Sequence, residues 1–153
     1  MITDRTSQDV ARWKMLHDKG WAAMTDDERS EWLGEMKGRY TYTDMNRVEN
    51  AVKDLSDRFV EIGYLAAPLT VKTDWNRWSA PTVSDFNRYY GNIASLRALV
   101  AGYPTTPDVP TVNRRLDYSM ANDIEQILED LENIITKLPQ SWYYAGEIFS
   151  GEV

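Results

Sequence analysis

The sequence predicts an all-α fold, a bundle of three long helices with two short N-terminal helices and an extended C-terminal arm. Three observations carry that expectation. A helix-start phrase recurs, reading T-D-M-N-R at Thr43 to Arg47, S-D-F-N-R at Ser84 to Arg88 and, more loosely, S-M-A-N-D at Ser119 to Asp123. Downstream the copies keep step, with Val52, Ile93 and Leu128 corresponding and Leu55, Leu96 and Leu131 likewise. After Pro139 that pattern stops and an aromatic, glycine-containing tail begins.

The first 40 residues read as two short amphipathic helices. One runs from about Ser7 to Asp18, with Val10, Trp13, Met15 and Leu16 apolar and Gly20 as its stop. The other starts at Thr25, where T-D-D-E supplies a capping box, carries Trp32, Leu33 and Met36, and ends near Gly38. In such a box the hydroxyl takes a backbone N–H and the acid three residues later reaches back.

In the three longer segments the apolar residues step by 3 and 4. They are Met45, Val48, Val52, Leu55, Phe59 and Ile62, then Phe86, Tyr89, Ile93, Leu96 and Val100, then Met120, Ile124, Ile127, Leu131, Ile134 and Leu138. A sustained 3.5 period is the mark of helices packed nearly along one another. One core is expected, holding Val52, Leu55, Phe59, Ile93, Leu96, Ile127, Leu131 and Ile134, with Thr43 and Ser84 at or beside N-caps. Gly63, Gly102 and Pro139 are the expected stops.

The connections are long. Residues 64–81 contain Pro68 and Pro81, and residues 102–112 contain Pro104, Pro107 and Pro110. An extended run of about 11 residues spans up to about 36 Å, more than the roughly 27 Å of an 18-residue helix. Either linker can therefore return the chain to the end where the preceding helix began, and parallel and antiparallel orders both stay open. The tail S-W-Y-Y-A-G-E-I-F-S-G-E-V reads as an extended arm. The expected division is a helical domain over 1–139 and the arm over 140–153.

Composition narrows the function. The 153 residues suit one domain with an appended arm. The absence of cysteine excludes disulfides, thiolate metal sites and a cysteine nucleophile. The start has no apolar leader core and no stretch approaches the length of a membrane span, so neither a Sec signal nor a membrane is expected. A net charge of −7 argues against nucleic acid as the partner. The charge is unevenly spread, with six basic against three acidic residues over 69–116 and one against eight over 117–153. Complementary faces on neighbouring helices explain that split, and an acidic C-terminal third facing a partner subunit is the alternative.

Little points to catalysis. His17 sits at a helix end beside Asp18 and Lys19, with no nucleophile motif in the chain. The acidic runs Asp26, Asp27, Glu28 and Glu31, and Glu125, Glu129, Asp130 and Glu132, lack the loop spacing of a cation site and read as solvated faces. No catalytic residue, cofactor or metal ligand is expected. Asn46, Asn87 and Asn122 recur in the first helical turns, where an amide can bind a neighbouring backbone or the preceding loop. All six tryptophans lie off the apolar seams. Some should pack the outer segments on the core, the rest offering an aromatic surface for a protein partner or for sugars, with Trp75 and Trp78 the candidates for a sugar-stacking platform.

The blocks Y-T-Y-T-D-M-N-R-V-E-N-A-V-K-D-L (Tyr40 to Leu55), W-S-A-P-T-V-S-D-F-N-R-Y (Trp78 to Tyr89), Y-S-M-A-N-D-I-E-Q-I-L (Tyr118 to Leu128) and W-Y-Y-A-G-E-I-F-S-G-E occur in that order. Together they resemble a helical module of tail-region structural proteins from phages and prophages of Gram-positive gut bacteria. The resemblance covers most of residues 28–153. It implies a virion protein made in the host cytoplasm, without enzymatic activity and with no catalytic residues to carry over. A chain that ends at G-E-V without a receptor-binding domain fits an adaptor or decoration role. The expected partners are other virion proteins, with the chain as a homo-oligomer or in several copies per particle. Trp142, Tyr143, Tyr144, Ile148 and Phe149 form the expected partner interface. The competing expectation is a carbohydrate- or host-surface-binding module using exposed tryptophans.

Overall fold

The computed structural model describes residues 1–64, 68–111 and 116–149, with side chains up to residue 139. The described residues are helical throughout their regular structure and include no strand. The helices are α1 (Ser7–Lys19), α2 (Asp26–Leu33), α3 (Tyr42–Glu61), α4 (Val83–Arg97) and α5 (Tyr118–Phe149), with a single 3₁₀ turn at Trp21–Ala23.

Helix starts are written locally. Thr6, Thr25, Thr41 and Thr82 each cap a helix in a capping box closed by Asp9, Glu28, Asp44 and Asp85. Asp117 caps α5 without a box, its Oδ1 accepting the Met120 N–H at 2.9 Å. The caps of α3 and α4 thus lie two residues before the expected Thr43 and Ser84. The reason is the acid, because the box needs it three residues after the cap, which Asp44 and Asp85 satisfy only for Thr41 and Thr82. Since Thr41, Thr82 and Asp117 keep one spacing to the buried Val52, Ile93 and Leu128, the repeat survives the correction.

Of the expected stops, Gly63 holds. Its φ of 91° suits only glycine, and the N–H groups of Gly63 and Tyr64 return to Val60 and Phe59 in a Schellman turn sealed by the Phe59 and Tyr64 rings. α2 is shorter than expected, because Gly34 caps it and leaves Met36 outside. α4 ends at Arg97, ahead of Gly102.

Pro139 does not stop α5, and the extended arm expected over 140–153 is helical through Phe149. Proline removes one N–H and crowds the preceding turn, a penalty of about 3 kcal/mol, yet its fixed φ is itself helical. Only one glycine, Gly146, follows before Phe149. The helix therefore crosses the expected 139/140 boundary, and residues 150–153 lie outside the described ones.

One core joins α3, α4 and α5, containing Val48, Val52, Leu55 and Phe59, then Tyr89, Ile93 and Leu96, then Ile124, Ile127, Leu128 and Leu131. Ile134, expected inside, is half-buried, and Ile135 takes its place. A straight helix repeats every 3.6 residues and drifts about 20° per heptad against a 3.5 pattern, so the inward position slips by one residue along α5.

The three core helices run in the same direction. Arg47 and Arg58 of α3 meet Glu125 and Glu132 of α5 in ascending order along both helices. The starting halves of α3 and α4 meet through Glu49 and Arg88. α1 and α2 pack against one another through stacked Trp13 and Trp32 rings, 6.4 Å apart and 11° from parallel, and an Arg12–Glu31 pair.

Candidate functional site

The end of the core where α3, α4 and α5 begin is rich in buried charge. Glu125, fully buried, accepts from Arg5 and Arg47 at 2.7 Å each and from the Ile2 N–H at 2.6 Å. Asp44 shares both arginines, at 3.0 and 2.6 Å. Glu49, buried one groove away, takes both guanidinium nitrogens of Arg88 at 2.6 and 2.9 Å and the Lys72 N–H at 3.2 Å. Burial by itself lowers the Arg47 guanidinium, but its hydrogen bonds to Glu125 and Asp44 outweigh that and hold it above its usual value. Hydrogen bonds to Glu49 raise Arg88 likewise. Burial pushes up the hydroxyls of Tyr40 and Tyr89, which bond each other beside this cluster.

The recurring asparagines organise the same region. Asn46 donates to the Trp75 carbonyl at 2.8 Å and accepts its N–H at 2.9 Å. Asn122 does the same to Arg5, at 2.9 and 3.0 Å. In both cases the residue three positions earlier, Lys72 or Ile2, gives its N–H to the glutamate three positions after the asparagine. Two extended segments are thus strapped into two grooves, one between α3 and α4 and one between α5 and α3. Asn87, the third member, is exposed.

Beside the starts of α4 and α5 lies an open cleft of about 990 Å³. Phe86, Tyr90, Ala121 and Leu116 form its core-side wall, and Val10, Trp13 and the 37–40 segment face them. Gly38 makes that approach possible, because a Cβ there would stand 2.0 Å from the Asp9 carbonyl oxygen. Arg39 lines the cleft with its guanidinium 5.8 Å from the Trp32 ring centre. Arg39 has no carboxylate partner among the described residues, and its Nε is buried without a hydrogen bond.

The structure separates the two residues of the expected sugar platform. Trp75 is buried, 5% exposed, beneath its Asn46 clamp, whereas Trp78 is 84% exposed with Arg77 over its ring. Two coplanar faces are therefore not presented. The expected interface residues Trp142, Tyr143, Tyr144, Ile148 and Phe149 lie on the helical backbone of α5, with side chains outside the described ones. His17 is exposed beside Asp18, 5.2 Å from the Trp13 ring.

Glu125 and Asp130, expected on a solvated face, are buried, Asp130 taking the Thr106 hydroxyl at 2.6 Å. Apolar periodicity is blind to a carboxylate whose arginine comes from another helix. The recurring N-x-x-E of Asn46 to Glu49 and Asn122 to Glu125 was the signal that would have found the clamps. Among the described residues no group of three or more histidines or carboxylates is placed to hold a metal ion, and no helix is long and apolar enough to cross a membrane. No protein-family model, curated protein or solved structure matches the chain.

Proposed function

We propose that the chain is a non-catalytic assembly module, a virion structural protein of the tail or an adaptor or decoration component, acting by protein–protein contact. In this reading α3, α4 and α5 form the rigid body of a three-helix bundle, α1 and α2 close its starting end, and several copies join other virion proteins. The observation that carries the assembly reading is how the polar groups are used. The buried carboxylates Glu49, Glu125 and Asp44 are each tied to arginines that hold helices and straps together. The open cleft beside them is mainly apolar and suits a ligand surface better than a proton-transfer site. The virion assignment rests on the sequence resemblance to phage tail-region modules.

Mass spectrometry of phage particles induced from the host that carries this gene tests the proposal. The chain is expected at a fixed copy number per particle after density purification. Its absence from purified particles overturns the virion role.

A further inference from the structure

We propose that the α4–α5 side of the cleft is a docking site for an extended segment of a partner protein, one carrying Thr-Asp followed by a large side chain. The proposal rests on the assembly reading and names where the contact is made. The other two grooves already hold such segments from the chain itself. Ile2 to Arg5 reads I-T-D-R and Lys72 to Trp75 reads K-T-D-W. Each gives the N–H and carbonyl of its last residue to an asparagine and buries that residue's side chain, Arg5 or Trp75.

Asn87 stands at the same distance from its helix cap as Asn46 and Asn122 from theirs, and its amide is exposed with no partner among the described residues. On α4 it lies one turn after Val83 and three residues before Tyr90, both of which line the cleft, so it stands at the rim. The chain's own linker in register cannot fill this clamp. Counting back from Asp117 as Trp75 stands from Thr82 reaches Pro110, and three residues earlier is Pro107. Neither has an N–H to give. Tyr90 correspondingly replaces the glutamate that would have received the second one.

Charge fits the same occupant. The aspartate preceding each clamped residue meets a lysine, Asp4 with Lys37 at 2.5 Å and Asp74 with Lys72 at 2.6 Å. At the cleft Arg39 awaits a carboxylate, while the acid on the lining, Asp117, is occupied in capping α5.

The test titrates the full chain into a labelled peptide L-T-V-K-T-D-W-N-R-W, residues 69–78 of this sequence, followed by fluorescence anisotropy. Saturable binding is expected, weakened about tenfold by Asn87→Ala through loss of two hydrogen bonds. Arg39→Gln should weaken the parent peptide but not a peptide whose aspartate is replaced by asparagine, as a double-mutant cycle requires of a direct pair. The exposed Asn87→Ala change should leave the thermal melt unchanged, which separates binding from folding. No saturable binding, or equal affinity in wild type and Asn87→Ala, overturns the docking site. Incorporation into particles is measured separately, so that failure would leave the assembly reading to its own test.

Discussion

Arg47 on α3 and Glu125 on α5 meet at 2.7 Å, and the same step recurs between Arg88 on α4 and Glu49 on α3 at 2.6 Å. At the third interface the corresponding residues are Asp123 on α5 and Tyr90 on α4. The repeat therefore closes two sides of the core with buried ion pairs and leaves the third for apolar contact and the cleft.

Glu125→Ala should destabilise the fold by about 3–5 kcal/mol, since it leaves two buried guanidinium groups to share Asp44 alone and strands the Ile2 N–H. Asp108→Ala, at a fully exposed carboxylate 3.4 Å from Arg97, should change stability by less than about 1 kcal/mol. Urea unfolding of both variants checks the contrast. Similar losses would mean that the buried cluster adds no more than a surface pair.

Leu131→Ala and Leu96→Ala should each cost about 2–5 kcal/mol as cavities in a close-packed core. Ile135→Ala should cost distinctly more than Ile134→Ala, because the first is buried and the second half-buried. The reverse order would restore a strict heptad to α5.

Thr41→Ala and Thr82→Ala should each lose about 0.5–2 kcal/mol by removing an N-cap hydroxyl. Ser84→Ala, at an exposed first-turn site, should stay within about 0.5 kcal/mol of wild type. Thermal melts of the three variants decide whether the caps sit where the acids require.

Asp123 gives a pH-dependent prediction. Burial, and then the charge of Asp117, raises its carboxyl above 3.8. The folded state thus binds this proton more tightly than the unfolded chain, so stability falls as pH rises from 3.8 through the folded value, and the deficit persists above it. Asp123→Asn should therefore stabilise the protein at pH 7, by about 0.5 kcal/mol or less. The gain should vanish below pH 3.8, where both states are protonated. Urea midpoints at neutral and acidic pH measure it, and a loss at pH 7 would contradict the sign.

The helices, their starting signals and most of the core are legible in local stretches of sequence. Threonine with an acid three residues later, and apolar residues every three or four positions, are local devices whose meaning does not depend on distant partners. The departures from those devices are local too, with caps two residues before Thr43 and Ser84 and an inward position one residue beyond Ile134. That α3, α4 and α5 run in one direction is a property of the packed fold, because long linkers permit either order. It alone buried Glu125 against an arginine 78 positions away, and it sent Trp75 inward while leaving Trp78 in solvent. A carboxylate or an indole enters the interior only when a partner from elsewhere in the chain arrives to satisfy it, and no local spacing encodes that arrival.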